Sequence, residues 1–146
     1  MYSETITVFN RHRANGVDTW YPTVLSGVDL NVDAAAMRAK YGAEAKDRAK
    51  LHIRFHDGPV VGDIYVGGKK YFLPKEWQTS DHSGITFQDG DLFDFFWNGA
   101  WAGGPVMDED YTNGFFNYMK KTYDMVFVIT SVARYDCIPH FEIVGA

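Results

Sequence analysis

The dipeptide Asn15-Gly16 lies between two runs rich in β-branched and aromatic residues, "ETITVFN" before it and "TWYPTVLSGVDLN" after it. Both turn residues tolerate positive φ, so this is the strongest short-range signal for a hairpin. In the first run Ile6 and Val8 alternate with Thr5, Thr7 and Phe9, which is the period of a strand. In the second, Trp20, Pro22 and Val24 alternate with Tyr21, Thr23 and Leu25. Pro22 offers no N–H to a ladder, so the sequence predicts a sheet edge or a bulge there. Ser26-Gly27 predicts a kink, after which Val28 and Leu30 resume a shared face.

The same punctuation recurs along the chain. "LHIRFHDG" alternates Leu51, Ile53 and Phe55 with His52, Arg54 and His56 before a turn at Asp57-Gly58, and Gly67-Gly68 separates Ile64 and Val66 from Tyr71 and Leu73. Asp89-Gly90 stands between Ile85, Phe87 and the aromatic run Phe93, Phe95, Phe96, Trp97, and "DMVFVITSV" and "HFEIV" close the chain as two further strands. Aromatic residues make up 16% of the 146 residues, which also favours strands. The expected fold is mainly β within the α+β class: a small antiparallel β-barrel or sandwich over residues 1–146 as one domain.

Two helical elaborations interrupt this pattern. "VDAAAMRAKYGAEAKDRAKL" has strong helix propensity, with Asp33 as N-cap, and predicts an inserted Ala-rich helix over 33–50. Residues 98–114 hold too many glycines for a regular element, and "FFNYMKKTYD" then sets Phe115, Tyr118 and Met119 at helical spacing. Residues 98–123 thus read as a loop and a short second helix.

The net charge is −5 and the basic residues are scattered, which lacks the electrostatic footprint of a protein that grips phosphates. An acidic surface lets DNA pass without adhering. The single cysteine, Cys137, excludes an intrachain disulfide and a cysteine-rich zinc site. The opening residues lack the pattern of an export signal, and no apolar run has membrane-spanning length, so cytosolic synthesis without insertion is the expectation.

No constellation reads as an active site, and the expectation is a non-enzyme without metal or cofactor. His52 and His56 with Asp57 contain the donors of a metal site, but four strand residues span roughly 13 Å, so solvent-facing histidines are the reading. Asp81-His82-Ser83 holds the residue types of a hydrolytic triad without the strained elbow that presents a nucleophile. Asp89, Asp91 and Asp94, and later Asp108, Glu109 and Asp110, do not match a calcium loop. The first group reads as acidic strand residues beside a turn, the second as acids ahead of a helix, where they suit its macrodipole. Lys69 and Lys70 read as solvated turn residues.

Both ends of the chain carry a resemblance. Phe9-Asn10, Tyr21 and Gly27-Val28 at one end, and Ile129, Ser131, Val132, His140, Phe141, Ile143 and Gly145 at the other, resemble the start and finish of small proteins of tailed-phage and prophage morphogenesis clusters. These are the head–tail connector, head-closure (stopper) or minor capsid proteins. The resemblance implies a small β-barrel that forms a ring, dodecameric in one version, in the virion neck. Its partners would be portal or adaptor and tail-terminator proteins, with DNA passing through the channel unrecognised. Assembly would take place in the bacterial host cytoplasm. The residues expected at an interface are Trp20, Tyr21, Trp97, Trp101 and Tyr111. Two other functions compete: a carbohydrate- or ligand-binding barrel using the aromatic surface around Trp97, Trp101 and Tyr111, and a metal-dependent hydrolase using His52 and His56.

Overall fold

The computed structural model describes residues 2–32 and 49–146. The strands are β1 (Glu4–Ala14), β2 (Val17–Val32), β3 (Ala49–Arg54), β4 (His56–Asp57), β5 (Ile64–Val66), β6 (Lys69–Lys70), β7 (Phe95–Trp97), β8 (Val106–Met107), β9 (Val126–Tyr135) and β10 (His140–Gly145). Helices α1 (Pro74–Gln78) and α2 (Phe115–Thr122) accompany them.

The Asn15-Gly16 hairpin forms as the sequence predicts, with φ of 54° and 75° at the two turn residues. It is longer than expected, because β1 and β2 stay paired down to Ala14 and Val17. Along Pro22, β2 pairs with β1 alone, since β8 reaches only Thr19 and Trp20 and β3 only Asp29–Val32. Pro22 therefore withholds no ladder bond from a neighbour on that side. The register shifts between Glu4 and Thr5, opposite Val28 and Ser26, which puts Gly27 in the expected kink.

Six strands close an antiparallel barrel in the order β1, β7, β9, β10, β3, β2, with β2 pairing back to β1. The two resembling ends of the chain supply four of those six strands. β8 is added outside, on β2, and β4, β5 and β6 form a separate three-stranded sheet around Gly67-Gly68. A side chain at Gly145 would meet Phe127 and Phe96 at 2.8 Å, so this interior position admits only glycine.

Strand β1 is buried on both faces from Ile6 to Asn10. Ile6 and Val8 point into the barrel with Leu25, Leu51, Ile53, Phe96, Phe127, Ile129, Phe141 and Ile143. The opposite face carries Phe9, which joins Trp20, Phe95, Val106, Phe115, Met119 and Val126 in a second core outside the barrel wall. Residues 98–123 cover that wall. The Thr7 hydroxyl, also on the outer face, donates to Gly99 O (2.8 Å) and accepts from Trp101 N (3.0 Å), which ties the glycine-rich segment down.

Several expectations are corrected. Of the helix expected over 33–50, residues 33–48 lie outside the described residues, and Ala49 and Lys50 belong to β3. The strand expected through Leu73 ends early: Leu73 is 66% exposed, and Pro74 opens α1, where its missing N–H costs nothing. Trp77 of that helix is fully buried and donates to Gly84 O. The glycine-rich stretch holds a short strand after all, β8, because Trp20 and Thr19 offer it a partner. Lys69 is not a freely solvated turn residue; its ammonium donates to Thr23 Oγ1 at 2.9 Å, and burial pushes its pKa down.

The expected hairpin at Asp89-Gly90 becomes a non-laddered return closed by Asp94, which is fully buried. Its Oδ1 accepts from Arg11 N (2.8 Å) and Gln88 Nε2 (2.7 Å), and its Oδ2 from Asn10 Nδ2 (2.7 Å) and Gln88 N (2.8 Å). Asn10 Nδ2 also donates to Thr86 O, and both Gln88 and Gln78 donate to Arg11 O. Burial pushes the Asp94 carboxyl up from 3.8 to about 7, against N–H donors that favour its charged form.

Each carboxylate oxygen faces one backbone N–H that cannot turn away. Asp94→Asn, in either amide orientation, sets an NH2 against one of them, and a loss of ~2–3 kcal/mol is expected at pH 4. The raised pKa means that the folded state holds this proton more tightly than the unfolded chain. The carboxyl's contribution is therefore complete below 3.8 and is lost as pH rises to about 7, by up to ~1.4 kcal/mol per pH unit. Urea unfolding of both proteins from pH 4 to 8 should show the gap between wild type and Asp94→Asn closing within that interval and then changing sign.

Candidate functional site

The aromatic residues singled out from the sequence separate into two places. Trp20, Trp97, Trp101 and Tyr111 meet in the outer core, while Tyr21, the next residue on β2, faces the other way. Tyr21 packs edge-on against Trp77 (5.8 Å between centroids) and stacks on His82 (4.8 Å). Trp20 is only 1% exposed, so its expected part as an interface residue is corrected: it is an internal anchor. Trp97, half-buried, lies against Tyr123 at 4.7 Å. Trp101 packs edge-on against Phe9 and Phe115, and Tyr111 bridges Phe115 (5.1 Å) and Tyr118 (4.7 Å). The surface these residues offer is the rim of a core whose centre is already filled.

Two clefts open beside that core. The first, of about 290 Å3, is lined by Asp110, Tyr111, Asn113, Asn117, Tyr118 and Lys121. The paired tyrosine rings give it an apolar floor, and burial raises the Tyr111 pKa, aided by Tyr118. The second, of about 260 Å3, lies between the β1–β2 hairpin and α2 and includes Arg11, Asp18, Trp20, Asp108 and Asn117. Arg11 was one of the scattered basic residues of the sequence. In the fold its guanidinium lies over the rings of Phe93 (4.2 Å) and Trp20 (4.6 Å) and 3.6 Å from Asp18. Desolvation lowers its pKa, partly offset by Asp18. Asp18 is held in turn by a bidentate bond to Arg13, at 2.7 and 2.9 Å.

Asp108 joins this cleft to α2. Its Oδ1 accepts from the Trp20 indole N–H (2.9 Å) and from Phe115 N, the first N–H of the helix (2.8 Å). The acidic run ahead of the helix therefore acts at the helix start, as its macrodipole requires, through one specific carboxylate.

The remaining chemical candidates resolve into local structure or move elsewhere. Ser83 N and Oγ both donate to Asp81 Oδ1, while His82 lies over Tyr21 and Trp77, so the three residues form a turn and their side chains do not converge as a relay. His52 and His56 fall on different strands in different sheets. His52 instead meets His140 and Glu142 across the barrel wall. Spacing along the chain could not reveal that group, because its members come from β3 and β10.

The family model described as "Family of unknown function (DUF6751)" matches residues 1–146. No curated protein and no solved structure matches the chain.

Asp108→Ala removes the acceptor of two part-buried N–H groups at once, and a loss of ~1–3 kcal/mol is expected. Hydrogen exchange should show the amides of Phe115–Met119 losing protection while the barrel strands keep theirs. Equal loss in both would mean that α2 is not held separately by this carboxylate.

Proposed function

We propose a structural role in a tailed-phage virion neck for this chain, which belongs to the family of unknown function DUF6751. In this reading it is a head-closure or connector subunit that forms a ring between portal and tail, in the host cytoplasm during assembly and in the virion afterwards. The observation that carries the reading is a set of apolar side chains on turns. Val61 is fully exposed, Val60 61% exposed and Ile138 76% exposed. The turn that holds Ile138 is bonded to Phe55, the residue between β3 and β4, whose N–H donates to Pro139 O at 3.3 Å.

Apolar residues this exposed on turns suit a contact with another protein surface. The closed barrel has no free edge of its own, which leaves its turns and appended strands to make contacts. The net charge of −5 suits a channel through which DNA slides. The resembling residues are mostly interior, Phe9, Val28, Ile129, Phe141 and Ile143 among them, so what they support is a shared barrel.

A second reading rests on the Tyr111–Tyr118 cleft. Two tilted tyrosine rings flanked by Asn113, Asn117 and Asp110 suit a sugar, whose apolar face packs on an aromatic while amides bond its hydroxyls. Chemical-shift changes confined to this cleft on titration with mono- and oligosaccharides would favour it.

The distinguishing measurement is solution mass over a wide concentration range, alone and with the cognate portal–adaptor complex. The neck reading expects a discrete ring on the partner. Val61→Asp with Ile138→Asp should abolish it while leaving the thermal midpoint within a few degrees, because both side chains are exposed. A chain that stays monomeric under every condition overturns this reading.

A further inference from the structure

We propose that His52, His140 and Glu142 form a binding site for a zinc-like divalent transition metal on the outer wall of the barrel, independent of the neck reading. The site follows from strand register. Glu142 on β10 is directly opposite His52 on β3, and Asp29 on β2 is opposite His52 on the other side. Three adjacent strands thus set Asp29, His52 and Glu142 in one transverse row on one face. His140 lies two residues before Glu142 on β10, hence on the same face.

The donor atoms already converge. One ligand atom from each of His52, His140 and Glu142 lies within 4.8 Å of the others. The Glu142 carboxylate lies between the two rings, with Oε2 3.0 Å from His140 Nε2 and Oε1 3.8 Å from His52 Nε2. Donors around tetrahedral zinc stand roughly 3.3 Å apart, given bonds of ~2.0–2.1 Å. Closing to that distance asks only for small rotations of half-buried side chains.

The other ring nitrogens make the arrangement selective. His140 Nδ1 lies 2.6 Å from Ile138 O, and His52 Nδ1 lies 3.5 Å from Asp29 Oδ2. An acceptor at each Nδ1 holds a proton on that nitrogen, so that a metal binds by displacing the proton that His140 Nε2 shares with Glu142. Oriented imidazoles of this kind, each backed by a carboxylate or a carbonyl, are how histidine ligands are held in metal proteins. Two imidazoles and one carboxylate suit zinc and its neighbours better than magnesium or calcium. Three protein donors leave one position open on the solvent side for water or a donor from another molecule.

The test is isothermal titration of the purified full chain with Zn2+, paired with the visible spectrum of the Co2+ form and with thermal midpoints. One equivalent of Zn2+ should bind, Co2+ should give the strong absorption of a four-coordinate site, and the midpoint should rise with metal concentration. His52→Ala and His140→Ala should each weaken binding by more than the ~10–100-fold that loss of an orienting partner costs, and Asp29→Asn by an amount within that range. The midpoints of the metal-free variants report whether they fold. His12→Ala, altering a histidine that packs against His82 elsewhere, serves as the control and should bind as wild type does. Absence of one-to-one binding, or binding that survives loss of both His52 and His140 in folded protein, overturns the proposal.

Discussion

The buried carboxylate of Asp94 ties together the parts of the fold that the backbone ladders leave separate. It lies one residue before β7, a strand of only three residues that must bridge β1 and β9 for the barrel to close. Four N–H donors from β1 and the return before β7 fix it, and its own carbonyl accepts from Ile129 N on β9. Gln88 and Gln78 extend the network to α1. A short central strand contributes few ladder bonds, so a polar hub that specifies its position has a clear physical use. Such a hub stabilises only when every donor and acceptor in it is matched.

With β7 in place, the barrel wall has two apolar sides. Phe96 and Phe127 turn inward, while Phe95, Val126, Phe9 and Trp20 turn outward. An outer face this aromatic needs a cover, and residues 98–123 provide it with β8, the capped start of α2, and the side chains of Phe115 and Met119. The high aromatic content thus serves two packed layers. Among the described residues, the rim of the outer one, at Phe93, Trp97, Trp101, Tyr111 and Phe116, is only partly buried.

The proposed contact surface and the proposed metal site share the β9–β10 hairpin. The turn between β9 and β10 carries Ile138, whose carbonyl orients His140, and β10 continues from there to Glu142. A metal held at these residues would stiffen the hairpin that presents Ile138. Assembly and metal binding can nevertheless be separated experimentally, because one depends on exposed apolar side chains and the other on imidazole and carboxylate donors.

The amino-acid sequence by itself determined what depends on near neighbours. Asn15-Gly16 and Gly67-Gly68 set hairpins because positive φ is a property of those residues, Pro22 marked a stretch paired on one side only because it lacks an N–H, and Phe115–Met119 showed the period of a helix. The brief helix at Pro74 left only the signal of a proline at its first position, too short to outweigh the strand pattern before it. The functional groupings were not legible in this way. Asp94 resembled any acid beside a turn, Arg11 any scattered base, and His52 and His56 read as solvent-facing strand histidines. Tertiary structure alone decided that Asp94 is enclosed by N–H donors, that Trp20 is internal and that His52 stands beside Glu142. The reason is that cross-strand register brings residues 52 and 142 to adjacent positions, a distance that no spacing along the chain encodes.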